Sequence, residues 1–186
     1  MSWKRILLLA IAGGGLIVSG ALALAYLLWS EVGASNVPGG FESVIPLAVD
    51  YPAPKLSLKD LAGKPVSLAD YAGQVVLVNN WAYWCPPCRD ELPILQGYYQ
   101  DHRAQKFAIL GIESGSSARI VTDYVEQYEL TYPIWLDPKV RAVAAFGNRS
   151  LPNSYVIDGD GQVRLAWTGP ISRAMLEQYV TPLLEQ

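Results

Sequence analysis

Apolar residues follow two different patterns along this chain. From Ile6 to Trp29 they run for 24 residues without a charge. That is enough helix to cross a bilayer core of ~30 Å. Beyond residue 50 they are broken into short periodic pieces. Leu56-Ser57-Leu58 and Val66-Ser67-Leu68 alternate on either side of Asp60–Lys64, which predicts a hairpin. Gln74 to Asn79 is a continuous apolar run ending in a polar residue, the mark of a strand covered on both faces. A helix is expected from the Cys85-Pro86-Pro87-Cys88 segment to about His102, with Pro93 kinking it. Phe107–Ile112 predicts a second buried strand and Ala118–Tyr128 a helix.

The remaining pieces continue the alternation. Ile134-Trp135-Leu136 reads as a short strand, and Asp137 as the cap of a helix starting at Pro138 and ending at Gly147. Ser154–Ile157 is a strand, and Asp158-Gly159-Asp160-Gly161 turns it into Gln162–Trp167. Ser172 caps a last helix. Strands alternating with helices, then a hairpin and a helix, predict an α/β sandwich with mixed strand directions.

The N-terminal run divides the chain. Lys4 and Arg5 precede it and Glu31 follows, so the positive-inside rule holds residues 1–5 in the cytoplasm and sends the rest across. Trp3, Tyr26 and Trp29 sit where aromatic residues favour the interface. Val32-Gly33-Ala34 resembles a cleavage site, but a signal-peptide core is usually about 7–15 residues, so an uncleaved anchor over 6–29 is expected. Residues 30–50, with Gly33, Pro38, Gly39, Gly40 and Pro46, are expected to be a tether reaching at most ~70 Å. Residues 51–186 form one domain by length. The domain then lies in an oxidising compartment, where a dithiol becomes a disulfide unless it is supplied with electrons.

Composition removes some classes of function. A net charge of -3 without a basic stripe gives no support for nucleic-acid binding. The two cysteines, Cys85 and Cys88, allow one intramolecular disulfide. Its loop is too short to constrain the unfolded chain much, which disfavours a structural staple. Structural zinc needs about four ligands, and one distant His102, expected to be solvated, does not complete the set. No metal and no cofactor beyond a redox-active Cys85–Cys88 disulfide is expected. C-x-x-C beside a βαβ pattern is the signal for thiol–disulfide exchange.

Cys85 follows a strand and stands at a helix start, where partial positive charge stabilises a thiolate. It is the candidate nucleophile. Cys88, one turn into the helix, is placed to resolve a mixed disulfide. Trp84 fits a shielded, half-buried site. Glu91 shares a helix face with Cys88 and could exchange a proton with it, but by spacing alone it reads as a solvated helix residue. Leu151-Pro152 precedes a strand; read alone, it is an ordinary trans turn proline.

The stretch Val78-Asn79-Asn80-Trp81-Ala82-Tyr83-Trp84-Cys85-Pro86-Pro87-Cys88-Arg89-Asp90-Glu91-Leu92-Pro93 resembles the active-site segment of the membrane-anchored bacterial thioredoxin-like proteins, the TlpA/ResA/CcmG group. Ala53-Pro54, Leu61–Tyr71 and Leu151-Pro152 through Gly161 fit the same group, and the resemblance spans about 52–184. It implies a thioredoxin fold, a mixed sheet flanked by helices, with an N-terminal β-hairpin extension and a central insertion, behind one transmembrane helix. It implies that Pro152 is cis, that Cys85 attacks and Cys88 resolves, and that Glu91 is functional. Trp84, Leu151, Pro152 and Asn153 become the expected substrate-binding set. The implied partners are a disulfide-containing protein, such as apocytochrome c with its haem-binding cysteines, and an integral membrane thiol carrier as electron donor; a monomer is expected. Asn80 stands where the group commonly has Phe, and Asn153 where Thr is common. Asn79 fits the group but replaces the buried acid of cytoplasmic thioredoxins, so proton transfer must use Glu91 or water.

A disulfide-forming oxidase uses the same parts at a different redox poise. A thiol peroxidase would carry Thr or Ser where Ala82 stands. A binding module that merely retains the fold has no need of the intact cysteine pair.

Overall fold

A computed structural model describes residues 44–185. The expected anchor and residues 30–43 of the tether lie outside these residues. Among the described residues no helix is long and apolar enough to cross a membrane.

The elements run β1 (Leu47–Pro52), β2 (Ser57–Asp60), β3 (Pro65–Ser67), β4 (Val75–Trp81), α1 (Pro86–His102), β5 (Phe107–Ser114), α2 (Ala118–Gln127), β6 (Ile134–Asp137), α3 (Arg141–Ala145), β7 (Asn153–Ile157) and β8 (Gln162–Thr168). The C-terminal helix α4 starts at Arg173–Met175, widens into a π turn over Leu176–Val180 and closes at Thr181–Leu184. The strands form one mixed sheet in the order β1-β8-β7-β4-β5-β6-β2-β3. β4, β5 and β6 are parallel, and the other pairings are antiparallel. The hairpin β2–β3 extends the sheet past β6.

The central strands are apolar because both their faces are covered. Val76 and Val78 of β4 enter one core with Leu110, Ile112, Trp135 and Tyr155. Leu77 and Trp81 enter the other, with Leu92 and Leu95 of α1, Ile109 of β5 and Leu176 of α4. Each fully buried leucine or isoleucine stabilises the fold by ~1.5–3 kcal/mol. At Gly111 of β5 a Cβ would come within 2.7 Å of Ile134 Cδ1 and 3.0 Å of the Tyr132 ring. Only glycine lets these side chains pack against the strand.

Four details differ from the sequence reading. β1 begins at Leu47, inside the expected tether, because Leu47–Pro52 pairs with β8 and finds order there. β5 extends to Ser114, as its pairing with β6 continues to Ser114↔Asp137. α3 starts at Arg141 rather than Pro138, since Val140 adopts left-handed backbone (φ 53°), which interrupts a right-handed helix. The N-cap is therefore Val140 and not Asp137, although the Asp137 carboxylate still accepts from the Ala142 N–H of the first turn at 2.6 Å. His102 is buried, not solvated: its ring stacks on Tyr98 at 4.1 Å and its Nδ1–H donates to the Tyr98 carbonyl.

Candidate active site

β4 brings the chain to the site. Four residues past its end, Cys85 forms the N-cap of α1 with extended backbone (φ -94°, ψ 105°). Pro86 and Pro87 occupy the first two helical positions, where a missing N–H breaks no helical bond. They also remove two donors that a sulfur at the helix start could otherwise use. α1 is 17 residues long and continues through Pro93, so its N-terminal partial charge falls at Cys85.

Cys85 and Cys88 are joined as a disulfide, with Cα atoms 5.3 Å apart. Cys85 is 4% exposed and Cys88 0%. An incoming thiolate or disulfide therefore reaches Cys85 first. Trp84, next to it, is 60% exposed rather than half-buried. Its ring offers apolar surface beside the attackable sulfur.

Glu91 is fully buried, unlike a solvated helix residue. One carboxylate oxygen accepts from the Asn79 side-chain amide at 2.7 Å, and the other from the Ile171 backbone N–H at 3.0 Å. Burial pushes its carboxyl up to about 8, while those two donors pull the other way by favouring the charged form. At neutral pH it holds a proton one turn beyond Cys88. Asn79 also donates to the Ser154 hydroxyl at 2.9 Å, so β4, β7 and α1 meet at one amide.

Leu151–Pro152 is cis. The register Asn80↔Asn153 places Pro152 beside the end of β4, next to the segment that leads to Cys85. Leu151 packs, partly buried, against the cluster that contains both cysteines. Asn153 is 0% exposed and turns its side chain away from solvent. Asn80 donates to the Asn153 side-chain oxygen at 2.8 Å, so the two residues that depart from the group's pattern form one contact.

Glu113 was not singled out by its position in the sequence, yet it too is buried, at the end of β5. It accepts from the Ser116 hydroxyl, from the Ser116 N–H at 3.0 Å and, at 3.5 Å, from the N–H of Tyr83 in the segment before the cysteines. Burial raises its carboxyl against these donors. Its partners come from a loop and a neighbouring strand end, which spacing along the chain does not reveal. A groove of about 500 Å³ lined by Leu56, Leu68, Tyr71 and Ile157 opens at the far end of the sheet and lies apart from this site.

The AhpC/TSA family pattern matches residues 49–166. The chain belongs to the AhpC/TSA family, among the thioredoxin-like TlpA/ResA/CcmG proteins. Thiol-disulfide oxidoreductase ResA of Geobacillus thermodenitrificans (strain NG80-2) is 31% identical over 154 residues, covering 83% of this chain and 88% of that protein. ResA of Bacillus subtilis (strain 168) is 28% identical over 166 residues, covering 89% and 88%. Among solved structures, a putative thiol:disulfide interchange protein DsbE from Chlorobium tepidum superposes with a TM-score of 0.69 at 27% identity, over 74% of this chain and 99% of that one. The mixed sheet flanked by helices is thus a thioredoxin-like fold.

Proposed function

We propose that the chain reduces disulfides in extracytoplasmic proteins by passing two electrons from a Cys85/Cys88 dithiol. The observation that carries this is the almost buried cysteine pair at the start of α1 with the buried Glu91 carboxyl behind it. Thiol–disulfide oxidoreductase chemistry is supported by the paired cysteines and the named relatives.

In the reduced protein the Cys85 thiolate attacks one substrate sulfur. The substrate S–S bond breaks, a mixed disulfide forms, and the first substrate thiolate leaves and takes a proton. Cys88 then gives up its proton and attacks the Cys85 sulfur. The second substrate thiolate leaves, and the Cys85–Cys88 bond closes. Glu91 serves as the internal proton donor and acceptor for Cys88. Trp84, Leu151 and Pro152 form the surface on which the substrate segment lies, with Asn153 beneath it. The Ile6–Trp29 run tethers this domain to the outer face of the membrane, and an integral membrane thiol carrier restores the dithiol. Haem-binding cysteines of apocytochrome c are the class of substrate that fits this placement.

The test is kinetic and electrochemical. Cys85→Ser is expected to abolish reduction of a peptide disulfide, while Cys88→Ser accumulates a mixed disulfide visible by mass spectrometry. Equal residual activity in the two variants would sink the division of roles. A reduction potential for the couple near thioredoxin's, roughly -270 mV, is expected; a value near roughly -120 mV makes the protein an oxidase instead.

A further inference from the structure

We propose that Asn80 and Asn153 form an amide bridge that sets the position of the Leu151–Pro152 segment, making both positioning residues for a peptide substrate. The proposal deepens the reductase reading and rests on it for the identity of the substrate. Asn153 uses every polar atom of its side chain. Its oxygen accepts from Asn80 Nδ2 at 2.8 Å. Its amide nitrogen donates to the Ser150 carbonyl at 2.5 Å and to the Asn148 carbonyl at 3.3 Å. Those two carbonyls belong to the loop that leads into Leu151–Pro152. The loop is tied again from outside, where Asn148 Nδ2 donates to the Thr168 hydroxyl at 2.7 Å, and braced within, where the Ser150 N–H donates to Asn148 Oδ1 at 3.0 Å. Downstream of the segment, the Gly169 N–H donates to the Pro152 carbonyl at 2.8 Å.

The arrangement is directional. Asn80 lies on β4, the strand that also delivers Cys85. The bridge therefore references the loop to the same strand as the nucleophile. Both amides are fully buried, so water does not compete for the bond between them. Asn80 touches neither the cysteines nor Glu91 through any of these bonds. Its effect on reaction is confined to where the substrate backbone lies, and a disulfide too small to use the loop should not sense it.

Asn80→Ala and Asn80→Ser are the informative variants. Reduction of an oxidised C-x-x-C-H peptide should show KM raised about tenfold with kcat little changed. Turnover of the small aromatic disulfide 5,5′-dithiobis(2-nitrobenzoate) and the equilibrium constant of the cysteine couple with glutathione should stay within about twofold of the parent protein. Asn153→Ala should match the peptide effect, and the double variant should add little to it, since both remove one bridge. Hydrogen exchange at the Ser150 and Leu151 amides should speed up in Asn80→Ala, a readout that does not need any turnover. Asn148→Ala, at a partly exposed side chain, should give a smaller shift of KM in the same direction and substitutes for Asn153→Ala if that variant does not fold. Equal losses on the peptide and the small disulfide, an unchanged peptide KM, or unchanged loop exchange each overturn the proposal. A parent protein that reduces neither disulfide defeats the reductase reading instead, and the exchange measurement then decides the bridge alone.

Discussion

Asn79 and Asn80 adjoin in sequence and lie on opposite faces of β4, as the pleat requires. Asn79 faces α1 and donates to Glu91, the buried acid behind the cysteines. Asn80 faces the other way and donates to Asn153, which holds the loop before Pro152. The partner strand β7 repeats the division, with Ser154 beneath Asn79 and Asn153 beneath Asn80. Two identical side chains thus do different work because the strand sends them to different layers. One amide tunes a proton and the other fixes a backbone. A central strand can support proton transfer and substrate placement at once, provided each task keeps to its own face.

The largest expected effect lies on the Asn79 face. Glu91→Gln should lower the rate of peptide-disulfide reduction at neutral pH by roughly 10²-fold, the lower end of what a placed general base contributes. The pH–rate profile should lose its step near the value of about 8 to which burial raises this carboxyl. An unchanged profile would retire Glu91 as the proton acceptor for Cys88. The same residue gives a stability prediction for the oxidised protein. Its folded-state value of about 8 lies above its ordinary 4.5, so the folded state holds the extra proton between these values. Its contribution is fully present below pH ~4.5 and is lost as pH rises through about 8. The loss is on the order of a few kcal/mol, and Glu91→Gln should flatten it in denaturant titrations run from pH 5 to 9.

Asn79→Leu should have an intermediate effect. It removes a donor that favours the ionised Glu91, so the step should move above its present position. Stability should fall by ~1–3 kcal/mol from the lost buried hydrogen bonds. A downward move of the step would contradict the assigned sign. Ser154→Ala should have the smallest effect, ~0.5–1.5 kcal/mol in stability with the step unmoved, because Asn79 keeps its bond to Glu91. If Ser154→Ala shifts the pH profile as far as Asn79→Leu does, the two faces are not separable in the way described.

Much of the fold was legible in the chain. The apolar runs at β4 and β5, the Asp158–Gly161 turn and the Ser172 cap fell where their residues indicated, because local chemistry and burial agree there. The start of α3 was not legible, since the left-handed Val140 is imposed by the turn after β6. Nor was the order of β1, whose pairing with β8 joins residues more than a hundred positions apart. At the site, Cys85 and Cys88 were evident from their spacing alone. Glu91 was ambiguous, because helical periodicity does not say that Ile171 and Asn79 close over it. The burial of Asn153 was hidden for the same reason: its partner lies 73 residues away.

The sequence by itself determined the cysteine pair, the helix that begins between the two thiols and the class of exchange chemistry. These follow from residue types a few positions apart, where covalent spacing fixes geometry. Only the tertiary structure decided which carboxylate is dry enough to keep its proton near neutral pH and which asparagine faces the acid rather than the loop. Burial and cross-strand register are sums over residues distant in the chain, and they exist only once the sheet has closed.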